Sequence, residues 1–159
     1  MDIESKSQGQ NEARKRRDVA LVYRNDQIAV YWEPKLCMHY GACFTNLPEV
    51  FKPQDRPWVV VDGATADEIA EVIVTCPSGA LHFKRLDGGP QEPQPEGTTI
   101  FAQPNGPLFV HGQVRLVGPG GQIIREDARL ALCRCGHSEN KPFCDGSHRW
   151  VGFRTRSTK

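Results

Sequence analysis

Six cysteines in two groups of three constrain this chain more than any other feature. Cys37, Cys43 and Cys76 form the first group, and Cys133, Cys135 and Cys144 the second. The amino-terminal stretch MDIESKSQGQNEARKRRD is charged and has no apolar run of the secretory type. The expected setting is therefore cytoplasmic and reducing, where disulfides do not persist. Closely spaced cysteines then read as metal or cluster ligands, and two groups read as two sites. Composition agrees. With 38% hydrophobic residues, 12 Pro and 15 Gly, the chain is too polar and punctuated for one large core. It is also too apolar for full disorder. Its 159 residues suit one ordinary domain or two small ones. A net charge of +1 argues against a dedicated nucleic-acid binder. No apolar run is long enough to span a membrane.

The pattern along the chain divides it into four parts. Residues 1–18, with Arg14 to Arg17, read as a disordered charged tail. Residues 19–87 read as a compact α+β unit. Val19–Tyr23 and Ile28–Trp32 read as strands around the Asn25-Asp26 turn, and Asn46-Leu47-Pro48 breaks the chain after Cys43. Trp58–Val61 reads as a short strand. Thr65 reads as a helix N-cap completed by Glu68, with Ile69, Val72 and Ile73 on one face through about Thr75. Ala80–Phe83 closes the unit, giving the order β-β-α-β-α-β. Residues 88–98, GGPQEPQPEGT, read as a Pro/Gly linker that separates two ligand sets sharing no residue. Residues 99–159 read as β-rich, with strands Leu108–Val110 and Val114–Val117 about Gly112, then Ile123-Ile124 and Leu130–Leu132 after a Gly-Pro-Gly-Gly turn. Residues 19–88 carry 6 basic and 9 acidic groups, and residues 99–159 carry 9 and 4. Opposite signs on tethered units favour their approach, or serve different partners.

The second cysteine group carries the stronger signal. Cys133, Cys135, Cys144 and His148 put three thiolates and an imidazole within sixteen residues. Soft and borderline metals suit such donors. Structural zinc sites typically pair cysteines at C-x2–4-C spacing, and C-x-C is tighter. Two sulfurs one residue apart are easier to satisfy on one iron of a bridged cluster. The stretch matches C-x-C-x2-S-x3-P-x-C-D-G-S-H from Cys133 through Ser138 and Pro142 to His148. It resembles the CDGSH iron–sulfur proteins of the mitoNEET type and their bacterial relatives. The resemblance implies a [2Fe–2S] cluster, with Cys133 and Cys135 on one iron and Cys144 and His148 on the other. Ser138 is expected to donate a hydrogen bond toward the site, Asp145 to cap a helix N-terminus, and Gly146 to let backbone N–H groups approach. His137 reads as an exposed loop residue and His111 as structural.

The first group is incomplete. Cys37-Met-His39-Tyr-Gly-Ala-Cys43 is C-x5-C, followed far downstream by Cys76-Pro77. Bacterial ferredoxins use C-x2-C-x2-C and a cysteine followed by proline. Here the middle position falls on Tyr40. Together with Leu47-Pro48-Glu49-Val50-Phe51, Trp58 and Cys76 to Leu81, this stretch resembles the divergent single-cluster 4Fe-4S ferredoxin domain. The resemblance covers about residues 20–86 and implies a ferredoxin-like α+β domain with a second cluster. That cluster is [3Fe–4S] on three cysteines, or [4Fe–4S] with His39 or solvent as fourth donor. A degenerate fold with three buried thiols is the bland alternative.

No substrate machinery is visible, since Gly118 to Gly121 lacks the Lys and the context of a phosphate-binding loop. The expectation is a non-enzymatic iron–sulfur protein of electron transfer or redox sensing. Its partners would be redox proteins or apo-protein cluster acceptors, without nucleic acid. The rivals are a cluster storage or transfer protein and a zinc-stabilised interaction module.

Overall fold

The structure, a computed structural model, describes residues 20–156. The tail read over residues 1–18, and Val19 at the head of the first expected strand, lie outside the described residues. Strands β1 (Leu21–Arg24), β2 (Ile28–Trp32) and β3 (Leu81–Arg85) form an antiparallel sheet in that order. Between β2 and β3 lie two helices, α1 (Ala42–Asn46) and α2 (Ala66–Ile73). Thr65 caps α2, and the capping box with Glu68 is complete in both directions. Ala66, Ile69 and Ile73 are buried at three- and four-residue spacing, so one stripe of α2 faces the sheet. The core adds Ile28, Val30, Phe51, Trp58, Leu81 and Phe83.

The strand expected over Trp58–Val61 is a single bridge, Phe51 to Val59, followed by a 3-10 turn over Val61–Gly63. Pro53 and Pro57 stand on either side of Asp55, and neither can donate to a ladder. The buried side chains that suggested a strand serve the core instead.

The second sheet is an antiparallel meander of β4 (Thr99–Ala102), β5 (Leu108–Val117) and β6 (Ile123–Leu132). The paired short strands expected on either side of Gly112 are one ten-residue strand. Gly112 interrupts its register at a bulge without ending it. Its φ is 151°, and a Cβ there would press on the backbone of residues 97 and 98. Strand β4 was not anticipated, because its four residues are all exposed and show no alternation. Among the described residues no helix is long and apolar enough to cross a membrane.

Residues 88–98 do not hold the two sheets apart. The Gln91 amide accepts from the Arg85 N–H at 2.9 Å and donates to its carbonyl at 3.0 Å. Glu92 accepts from the Phe83 N–H. These side chains occupy the open edge of β3 and blunt it. Beyond them the two sheets meet through charge. Arg125 on β6 forks onto Glu33 with two contacts of 2.8 Å and also pairs with Asp127. His82 on β3 reaches Glu92 at 2.8 Å and Asp127 at 3.1 Å. Arg129, 7% exposed, donates to the carbonyls of Ile73, Cys76 and Leu81. Of these contacts, the Arg125–Glu33 pair joins a basic group of residues 99–159 to an acidic one of residues 19–88.

Candidate functional site

The Cys133–His148 loop hangs from the end of β6. The Cys133 N–H donates to the Pro142 carbonyl and the Cys144 N–H to that of Ala131, closing the loop on its own stem. A bridge between Leu132 and Phe143 continues the pairing. Gly146, in the left-handed region at φ 90°, turns the chain into a 3-10 turn over Ser147–Arg149 that carries His148. The four donors fall into two pairs. Cys133 and Cys135 sulfurs lie 3.9 Å apart, and the Cys144 sulfur lies 3.5 Å from Nδ1 of His148. Two thiolates on one tetrahedral metal, with bonds of ~2.3 Å, are about 3.8 Å apart. Each pair is therefore of the width that one bound metal would require. Among the described residues no three His, Cys, Asp or Glu side chains converge on a point for a single ion. Three thiols and an imidazole are donors that soft and borderline metals such as iron or zinc would accept.

Backbone donors face the sulfurs of this loop, and the thiols differ in how their surroundings treat the anion. The N–H groups of His137 and Gly146 point at the Cys135 and Cys144 sulfurs, each at 3.4 Å. Burial opposes ionisation of Cys133, but hydrogen bonds from the backbone of Ser138, Gly136 and His137 and from Cys135 outweigh it and lower its pKa. Burial raises the pKa of Cys144 and, with the Arg149 charge, lowers that of His148, which favours neutral imidazole. The Ser138 hydroxyl donates to the Phe143 carbonyl, next to Cys144, and accepts from the Asn140 N–H, while its backbone is among the donors that lower the Cys133 pKa. Asp145 accepts from the N–H groups of Ser147 and Glu139. His137 is exposed, and His111 lies edge-on to Phe101.

Cys37, Cys43 and Cys76 line one recess, along with His39, Tyr40, Trp32 and Trp58. Each arrives on a different element. Cys37 follows the 3-10 turn Pro34–Leu36, Cys43 sits in α1, and Cys76 lies just beyond α2 with its N–H on the Ile73 carbonyl. Burial raises the Cys37 thiol and pushes Cys43 up to about 11. Three thiols around one recess are donors of the kind a metal cluster would use. His39, at φ 57°, lies at the recess with Nδ1 3.9 Å from the Cys37 sulfur. Tyr40 also lines the recess, and its ring meets Phe109 of the second sheet edge-on, with centroids 6.0 Å apart.

Sequence reasoning missed the residues that fasten these loops. Arg129 donates to the Cys76 carbonyl at 2.6 Å, Asn140 to that of Lys35 at 2.7 Å, and Arg149 to those of Met38 and His39. Only the +5 balance of residues 99–159 hinted at such a role.

Comparisons with known proteins agree with this division. A family model described as a divergent 4Fe-4S mono-cluster matches residues 23–85. A second, described as an iron-binding zinc finger of CDGSH type, matches residues 105–149. The uncharacterized protein YjdI of Escherichia coli K12 is 34% identical over 62 residues, which is 39% of this chain and 82% of that protein. YjdI of Escherichia coli O157:H7 matches to the same extent.

Proposed function

Because the chain belongs to the iron–sulfur proteins, with a divergent 4Fe-4S mono-cluster domain followed by a CDGSH iron-binding domain, we propose that it carries two clusters and passes or senses single electrons. Cys133, Cys135, Cys144 and His148 would hold a [2Fe–2S] group. Cys37, Cys43 and Cys76 would hold a [3Fe–4S] group, or a [4Fe–4S] group with His39 as a candidate fourth donor. Bound clusters supply one-electron chemistry. The observation that carries this reading is the grouping of the second donor set into two pairs, each of single-metal width.

The chain's own part is to hold and tune. Backbone N–H groups directed at the Cys135 and Cys144 sulfurs offset negative charge. His148 contributes a neutral donor where a cysteine would add an anion, which raises the potential, as histidine does in Rieske centres. Iron–sulfur binding domains fit a non-catalytic cluster-binding protein.

The test is anaerobic purification with iron, sulfide and zinc assays and EPR. Five or six irons per chain are expected, with two distinct signals. Two irons would confine the reading to the second set. Colourless, zinc-loaded protein would defeat it. His148→Cys should lower the potential of the [2Fe–2S] signal, and an unchanged potential would remove His148 from the ligand set.

A further inference from the structure

The loop that carries Cys37 is built against the loop that carries Cys144 and His148. Met38, next to Cys37, is 3% exposed and packs with Phe109, Ala131 and Cys144. Arg149, next to His148, donates to the Met38 carbonyl and, at 3.0 Å, to that of His39. Gly146 completes the join, since a Cβ at that position would come within 2.9 Å of the Met38 oxygen. The Met38 side chain and carbonyl, one residue from Cys37, and the His39 carbonyl, two residues from it, thus lie between the two ligand sets.

We propose that Met38 and Arg149 couple the two cluster sites, so that a filled Cys133/Cys135/Cys144/His148 set strengthens metal retention by Cys37, Cys43 and Cys76, and the reverse. The proposal rests on the two-cluster reading above. Filling the second set fixes Cys144 and His148, and with them the surface on which Met38 sits and the guanidinium that holds the Met38–His39 backbone. Cys37 is then held before its own metal arrives. Coupling of this kind is reciprocal by necessity, and factors of roughly 5–150 are typical.

The full chain tests it. Cys135→Ser empties the second set, and a chelator then strips the first under anaerobic conditions while its visible and EPR signals are followed. Loss should be about tenfold faster than in the parent. In a Met38→Ala, Arg149→Gln background the same Cys135→Ser change should alter the rate less than about twofold. A parent and Cys135→Ser variant that release iron equally fast would overturn the coupling. A parent with only two irons would remove the two-cluster reading, and the coupling with it. Should Cys135→Ser fail to fold, Arg149→Gln alone decides, because every ligand remains. Its first cluster should be lost faster, and in its iron-free form amides over residues 36–43 should exchange faster. Unchanged rates in both measurements would reject the proposal.

Discussion

Arg129 is a buried cation whose partners are mostly main-chain carbonyls. Its guanidinium joins the end of α2, the residue Cys76 and the start of β3, and it meets Glu92 at 3.1 Å. Replacing it with Met leaves three carbonyls and a carboxylate short of a donor. Breaking a buried pair in this way typically costs about 3–5 kcal/mol. Urea unfolding of Arg129→Met should show that loss, and a midpoint within error of the parent would contradict the burial argument. Tyr40 offers a test of the vacant ligand position. Tyr40→Cys should convert an oxidised-state [3Fe–4S] EPR signal into a reduced-state [4Fe–4S] signal. If the parent is already [4Fe–4S], His39→Ala should weaken it. No response to either change would take residues 39 and 40 out of the site. The two residues differ in legibility. Tyr40 stood out because a ligand spacing skipped it. Arg129 stands in an ordinary strand segment, IIREDARLAL, and its role depends on a partner sheet far away in the chain.

Elements were legible where one local rule decides them. The Thr65–Glu68 box announces α2 because both halves of the motif are within four residues. Thr65→Ala should therefore lower stability by about 1 kcal/mol. Since Thr65 touches neither ligand set, iron content per chain should be unchanged, and a drop in iron would show that α2 governs the site more closely than its cap suggests. Elements were illegible where tertiary contact decides. Trp58, Val59 and Val61 have a strand's composition, yet their burial comes from packing around Trp58, whose ring lies 4.8 Å from that of Trp32. The segment over 88–98 has a linker's composition, yet Gln91 and Glu92 find a sheet edge that no local pattern reveals. The ligand sets sit between these cases. Spacing singled out the candidate donors, but not that Met38 would lie between them.

At the scale of the molecule, one charge network joins the halves. Glu33, Glu92 and Asp127 face Arg125, Arg129 and His82, so the charges balance only with His82 protonated. Burial works against that proton, but hydrogen bonds to Asp127 and Glu92 outweigh it and push His82 up to about 9. An unfolded histidine titrates near ~6.5. The folded chain therefore keeps an extra proton between those values. Its stabilising effect is complete below about 6.5 and is lost as pH rises through about 9, a few kcal/mol at most. Urea midpoints should fall from pH 6 to pH 9, and His82→Gln should flatten the slope. A parent midpoint that rises over this interval would refute the assignment. The same network has a consequence in time. Glu33 and Arg125 are 92 residues apart, and His39 and Arg149 are 110 apart. At roughly 5–20 residues per second, a ribosome needs about 5–20 s to go from one member of the latter pair to the other. For that interval the nascent chain displays Cys37 and Cys43 on a loop whose clasp has not yet been made, a window in which metal delivery and oxidation compete for the same thiols.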